Sequence, residues 1–347
     1  QLMKAMNSGM QYSEQHLATA GQSVMDEESF VTMDTHTLQD SIATATLDTT
    51  DRVFVIPANL DITLHTNAQK IDFKDAELTN VLGEVIIRDQ SINLSNLKMD
   101  SNIGRGNMTM FYTAKDYSGA SAGFDLDMED VMVEKLIGLY PAIDTLVPML
   151  RSFEGVVDCQ VTATCKMDST MSLKLPSLHT ACYLHGENMV LLDGETFTEI
   201  SKTLMFKNKK RNVIDSISVD LAIKDNKIEV FPFLVEMDRY KVAVGGTHNL
   251  DMTFNYHLSV LKSPVPFKLG IDITGNLDDF KYKIVKCRYK DLFKPAKEAE
   301  LDSTRTNVRK EIRESIRNQI KETAPELVSS LSPNHTVTPP EGETNAL

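Results

Sequence analysis

The sequence predicts a mainly β protein: a long, twisted, largely antiparallel sheet curled into a groove or trough, with short capping helices and a C-terminal helix. Three observations lead there. Apolar and polar residues alternate strictly through many segments between Leu60 and Ile284. Asp–amide pairs, Asp89-Gln90 and Asp225-Asn226, interrupt apolar runs where hairpin turns belong. Beyond Pro295 a helical repeat crowded with charge replaces the alternation. Period-two alternation buries one strand face and wets the other. Parallel strands read apolar on both faces, so antiparallel neighbours with a solvated side are expected.

Residues 1–50 are polar with weak periodicity and read as the end of a preceding region. The opening at Gln1 reads as the interior of a longer chain. The β-rich domain is expected over 51–295. Leu60, Ile62 and Leu64 alternate with Asp61 and Thr63, and Phe124, Leu126 and Met128 with Asp125 and Asp127. Val157, Cys159, Val161, Ala163, Cys165 and Met167 form one apolar line; Ile217, Val219, Leu221 and Ile223 form another. The longest line is Leu250, Met252, Phe254, Tyr256, Leu258 and Val260, followed by Phe267–Ile273 and Phe280–Ile284 lines of the same kind. A one-residue slip would turn each set outward, so register is strongly specified.

The turns carry matching chemistry. Asp, Asn and Gln at 89–90 and 225–226 bond their own backbone and tolerate tight hairpin conformations. The segments 87–92 and 223–228 also resemble each other, which suggests an internal repeat with its copies about 136 residues apart. Helical spacing is expected over 127–153, divided by Pro141 and Pro148, and again over 195–205 with Phe197, Ile200 and Leu204 inward. Both read as caps on an apolar end of the sheet. Residues 296–330 form a polar amphipathic helix with Val308, Ile312, Ile316 and Ile320 in a narrow stripe, ended by Pro325. Residues 331–347 have little to bury and read as a disordered tail.

Composition narrows the function. The net charge of −13 opposes docking on nucleic acid. The basic cluster Lys207, Lys209, Lys210 and Arg211 reads as a solvated loop between a helix and a strand, with contact to anionic head groups as the lesser alternative. No run of about 18 apolar residues is present to span a membrane. Among metal candidates, His179, Cys182 and His185 alternate as on a strand, which puts Cys182 on one face and both histidines on the other. Cys159 and Cys165 lie about 20 Å apart along an extended strand and cannot pair with each other; a bond from either to Cys182 or Cys287 stays open. The acidic residues Asp125, Asp127, Glu129 and Asp130 belong to a wet face or a helix start rather than to an acid–base pair. Gly104-Arg105-Gly106 and Gly245-Gly246 read as bulges or bends. Asn93, Asn107 and Asn334 match the glycosylation triplet, as chance alone supplies. No nucleophile elbow, phosphate loop or zinc helix is found, so no catalytic residue, metal or cofactor is expected.

From 57 to 290 the chain resembles the C-terminal region of the AsmA family of bacterial envelope proteins. The resemblance rests on the order of its parts: Pro57-Ala58-Asn59-Leu60, then Val85 through Asp89, Ile92-Asn93-Leu94 and Gly104. The proline-broken segment through Tyr140-Pro141 and the Phe153-Glu154-Gly155 entry follow. Last come Gly186-Glu187-Asn188-Met189, then Ile223 through Val230 with Pro232-Phe233, Tyr240, Gly246 and the 250–258 strand. The resemblance implies a periplasmic β-structure whose full-length parent is anchored in the inner membrane. It also implies a role in outer-membrane biogenesis, with relatives thought to carry lipid along a grooved sheet.

Two functions are therefore expected in order. The first is a non-enzymatic conduit whose partner is a phospholipid or other acyl-chain lipid. Leu250, Met252, Phe254, Tyr256, Leu258, Val219 and Leu221 would face it, each methylene sheltered from water being worth about 0.8 kcal/mol. The second is a scaffold for outer-membrane assembly proteins, which needs a free sheet edge and uses the apolar face only as core.

Overall fold

The computed structural model describes residues 53–73, 76–139, 153–191, 212–237, 240–249, 253–263, 268–276 and 279–328. Its strands are β1 (Asp61–Phe73), β2 (Ala76–Arg88), β3 (Ser91–Ser101), β4 (Arg105–Asp116), β5 (Gly119–Met132), β6 (Phe153–Glu154) and β7 (Val156–Asp168). They continue as β8 (His179–Leu191), β9 (Asn212–Lys224), β10 (Lys227–Met237), β11 (Tyr240–Asn249), β12 (Phe254–Lys262), β13 (Leu269–Gly275) and β14 (Phe280–Val285). The helices are α1 (Val133–Leu139), α2 (Pro295–Thr323) and α3 (Pro325–Val328). All the strands join one 14-stranded antiparallel sheet in chain order, with the short β6 set off the path against β8. The sheet does not close: β1 and β14 are its two edges.

Local sequence explains this meander. Arg88 pairs with Ser91 and Lys224 with Lys227, leaving two-residue loops. Both residues of each loop have positive φ: 50° and 59° at Asp89 and Gln90, 53° and 61° at Asp225 and Asn226. Such turns match the right-handed twist of the strands they join, and Asn and Asp adopt them at little cost. Both repeat-related turns lie on the same long rim of the sheet, because the strand direction alternates along the path.

On that rim the β7–β8 connection is held by one carboxylate. Asp168 Oδ1 accepts Thr170 N–H at 2.9 Å, Thr170 Oγ1–H at 2.7 Å and Ser172 N–H at 3.0 Å. These donors hold its pKa below the usual carboxylate value. A depressed carboxylate stabilises the fold above its unfolded pKa and loses that contribution as pH falls through its folded value. On acidification the Thr170 and Ser172 amides should lose hydrogen-exchange protection before the strand amides around them do.

Toward the opposite rim the strands carry bulges. Asn80, Asn96, Asp130 and Asn188 have φ of 53°, 48°, 56° and 52° inside β2, β3, β5 and β8. Three of them sit where register shifts, between Thr79 and Leu82, Leu94 and Leu97, and Met128 and Val131. Asn188 lies where β8 passes from pairing β7 to pairing β6. Each bulge bends its strand and raises the local twist.

The helical segment expected from 127 begins later. Asp127 pairs with Asn107 and Gln160 as part of β5, which continues through the Asp130 bulge to Met132. Among the described residues of 127–153, only Val133–Leu139 is helical. The period-two pattern of Phe124–Met128 carries on past the acidic cluster and outweighs the helical spacing that starts inside it. The expected helix over 195–205, the cluster at Lys207–Arg211, residues 1–50 and the tail from 331 lie outside the described residues.

The C-terminal helix is as the sequence stripe requires. Pro295 opens it at its first turn, where a missing N–H costs nothing. Ile312, Ile316 and Ile320 are buried, and Ala324 and Leu327 extend the line into α3. They pack on Ile86, Phe111 and Ala181, which lie on the polar face of the sheet. α2 therefore runs across the strands, back over the sheet that precedes it. From Arg305 to Thr323 it rises roughly 27 Å at about 1.5 Å per residue. From β10 to β3 the sheet is roughly 29 Å wide at about 4.8 Å per strand. Each helical turn thus lands about one strand further on.

Candidate functional site: an apolar face opposite a strapped polar face

Register assigns every alternating side chain to one of two faces. Leu221 lies beside Val230, Val230 beside Gly246, Gly246 beside Tyr256 and Tyr256 beside Ile273. In the other direction Leu221 lies beside Cys182, then Val161, Leu126 and Met108. One apolar face thus runs across the sheet from β4 to β13, and parallel rows extend it to Leu64 on β1 and Tyr282 on β14.

Its ends and its middle differ. At the bulged rim Val131, Val133, Val157, Met189 and Ile214 form a closed core with α1. At the other rim Val53, Ile56, Tyr112, Ala120 and Met167 form a second. Between them Leu126, Met128, Val161, Cys182 and Leu184 are only half-buried, and Phe124 on the interior strand β5 is 36 % exposed.

Of the residues expected to face lipid, Phe254, Tyr256, Leu258, Val219 and Leu221 all lie on this face. Leu250 and Met252 lie outside the described residues. Leu258 and Leu221 are buried, whereas Phe254, Tyr256 and Val219 are half-buried. Tyr256 lies against Phe254 with ring centroids 6.1 Å apart, and its hydroxyl meets His248 Nδ1 at 2.9 Å. Burial pushes the Tyr256 phenol up to about 12, so the hydroxyl stays neutral on the apolar face. The ring rests over Gly246, where an added Cβ would come within 2.7 Å of Tyr256 Cα. His248 was not legible as a site residue, because its partner is fixed only by the β11–β12 register.

The opposite face departs from expectation. Its alternation predicts strands wet on that side, yet its centre is covered by α2. Arg305 donates to the Pro232 carbonyl and faces Asp220 at 3.6 Å. Arg309 pairs with Asp220 at 2.9 Å, donates to Gln160 Oε1 at 3.2 Å, and lies 5.3 Å over the Tyr183 ring. Arg313 pairs with Asp125 at 2.9 Å and Asp127 at 3.3 Å. Asn93 donates to Thr323 Oγ1 at 2.9 Å, and Arg88 pairs with Glu326 at 2.6 Å. Asp220 is 8 % exposed, and Ser91, Asn93 and Thr162 are buried beside the helix. The physical reason is length and spacing. Arginines at 305, 309 and 313 share one helix face, and the strand spacing carries them over acidic residues of β9 and β5.

The other candidates resolve similarly. Cys182 faces the apolar side while His179 and His185 face the polar side, where His185 Nδ1 meets Ser218 Oγ at 2.8 Å. All four cysteines are free thiols. Burial pushes Cys159 up to about 12 and Cys182 upward as well, which makes both poor nucleophiles. No group of three His, Cys, Asp or Glu could hold a metal ion among the described residues.

One constellation escaped the sequence. His257 Nδ1 meets Asp272 Oδ1 at 2.6 Å, and its Nε2 meets Ser259 Oγ at 2.9 Å. The Arg288 N–H points at Nε2 over 3.2 Å, so Nε2 accepts and the ring proton sits on Nδ1 facing Asp272. Tyr289 N–H donates to Ser259 Oγ at 3.0 Å, Arg288 pairs with Asp272, and the Tyr289 ring stands edge-on to His257 at 5.0 Å. A serine, histidine and carboxylate in this order invite comparison with hydrolases. A nucleophile, however, needs access and an adjacent oxyanion site. Ser259 is fully buried, and the incoming backbone engages its oxygen. The cluster clamps the chain after β14 onto β12 and β13. Replacing His257 with Leu removes a hydrogen bond to a carboxylate, a loss of about 1.5–3 kcal/mol. Trypsin should then cut faster at Lys286 and Arg288 than in the parent.

No helix of the described residues is long and apolar enough to cross a membrane. Comparison with protein-family models, with characterised proteins and with solved structures finds no match for this chain.

Proposed function

We propose that this chain is a non-enzymatic, AsmA-like envelope protein that shelters the acyl chains of phospholipid or a similar lipid along its apolar face. One observation carries the reading. The strap formed by α2 lies on the polar face, while the middle of the apolar face keeps aliphatic side chains and Phe124 partly exposed. An ordinary two-layer domain packs its amphipathic helix on the apolar side of the sheet; here the helix sits on the other, its isoleucines on Ile86, Phe111 and Ala181 and its arginines on Asp220, Asp125 and Asp127. An apolar surface crossing most of the sheet offers area without specific hydrogen bonds, which suits flexible tails. The periplasmic setting and the inner-membrane anchor of a longer parent belong to the same proposal and rest on the resemblance to the AsmA family.

The test is direct. Protein purified from cells is extracted with solvent, and the extract is read by mass spectrometry for phospholipid. Bound phospholipid is the expected result. A lipid-free protein that also takes up no fluorescent fatty acid would refute the proposal.

A second reading, a scaffold for outer-membrane assembly proteins, is favoured by the two edge strands. β1 is 13 residues long and exposes Leu64 (50 %) and Ile62 (36 %) beside a backbone edge that no other strand of the described residues pairs. Such an edge can accept a strand from another protein. Under this reading a peptide in the β1 position, rather than lipid, would be recovered.

A further inference from the structure

The β14 end of the sheet is built differently from the β1 end, and we propose that it docks the protein on the surface of an anionic lipid bilayer. The proposal rests on the lipid-carrying reading for its purpose: it puts one end of the apolar face against a membrane.

Between Phe280 and Lys290 the chain carries Lys281, Lys283, Lys286, Arg288 and Lys290 and no acidic residue, in a protein of net charge −13. Arg288 is engaged by Asp272, and Lys290 lies near Asp291. Lys281, Lys283 and Lys286 are exposed and stand in no ion pair among the described residues. On the other side of the same strand Tyr282 is 53 % and Ile284 63 % exposed, and both continue the apolar face. The β1 end also exposes apolar side chains, but there Asp61 pairs with Arg88 and Lys70 pairs with Glu77 at 2.7 Å. Among the described residues, only the β14 end of the sheet joins exposed apolar side chains to cations outside any ion pair.

That combination fits a negatively charged lipid surface. Lysines on flexible stems reach phosphates, a tyrosine suits the headgroup layer, and isoleucine enters the acyl boundary. A strand from an acidic peptide fits less well. β14 has six residues with lysines at alternate positions, an arrangement that discourages edge pairing.

The experiment is sedimentation of the full chain with vesicles of phosphatidylcholine alone and of phosphatidylcholine mixed with phosphatidylglycerol. Uptake of a fluorescent fatty acid from solution is measured in parallel. Binding is expected only with phosphatidylglycerol present, weakening as salt is added. Each lysine near the surface contributes roughly fivefold, so the combined K281Q, K283Q and K286Q variant should bind about a hundredfold more weakly. Because these side chains are exposed, its fatty-acid uptake should equal that of the parent. Replacing Tyr282 and Ile284 with serine should weaken binding without altering its salt dependence. Equal binding to both vesicle types, no binding to either, or an unchanged triple variant would each overturn the docking proposal. So would capture of an acidic peptide in place of vesicles. Vesicle binding without fatty-acid uptake would support docking and remove the lipid-carrying reading; uptake without vesicle binding would do the reverse.

Discussion

Replacing Asp220 with alanine should lower the unfolding free energy by about 3–5 kcal/mol, the usual result of removing one member of a buried ion pair. Asp220 receives Arg309 at 2.9 Å and faces Arg305 at 3.6 Å, and both arginine side chains are largely buried beneath α2. The alanine variant strands two guanidinium groups between helix and sheet. Asp220→Asn should cost much less, since it keeps an acceptor for Arg309 and removes a charge that is itself expensive to bury. The shift of its pKa bears on this point. Burial raises the Asp220 carboxyl above its ordinary value, against the opposing pull of Arg305 and Arg309. The folded state therefore holds this proton more tightly than the unfolded chain does. Its contribution to stability declines as pH rises from the unfolded value through the folded one. The deficit of Asp220→Asn relative to the parent should accordingly shrink between acidic and neutral pH, as read by urea unfolding. A deficit that grew with pH would mean that the arginines outweigh the burial.

Phe254→Glu should abolish lipid uptake while leaving the sheet folded. Phe254 is half-buried on β12 against Tyr256, so truncating the ring loses part of a buried side chain and no more. A carboxylate placed there is stripped of water by the acyl tails, with only the His248 ring across the β11–β12 pair in reach, at a cost of about 3 kcal/mol, or two orders of magnitude in affinity. Thr274→Glu is the matched control. Thr274 lies on the neighbouring strand, is exposed, and faces the polar side opposite Asn255. It should leave uptake unchanged. Unfolding by Phe254→Glu under conditions where Thr274→Glu stays folded would mean that this part of the face is closed core.

Much of this architecture is legible in the sequence, and the reasons are local. Strand alternation at Val157–Met167 and Phe254–Val260 needs only period two. The hairpins at Asp89 and Asp225 need only residues that accept positive φ. The isoleucine stripe of α2 needs only helical spacing. The bulges were partly visible: Asn96 stands where the apolar phase jumps from Leu94 to Leu97. What was not legible depends on pairs far apart in the chain. Arginines four apart at 305, 309 and 313 are plain to see, as are Asp125, Asp127 and Asp220. Nothing in a one-dimensional pattern says that the first set lies across the second. The polar face therefore read as wet, when its middle is the seat of a helix. The cluster of His257, Ser259, Asp272 and Arg288 was hidden for the same reason. It needs the β12–β13 register, which sets His257 beside Asp272, and the return of the chain after β14.

The middle of the apolar face should meet lipid and not protein. A photo-crosslinking residue in place of Phe124, on the interior strand β5 and 36 % exposed on that face, tests this inside cells. Irradiation should attach a phospholipid to the chain, seen as a mass increase of the intact protein. Crosslinks formed solely to other segments of the same chain or to another protein, with no lipid adduct, would contradict it.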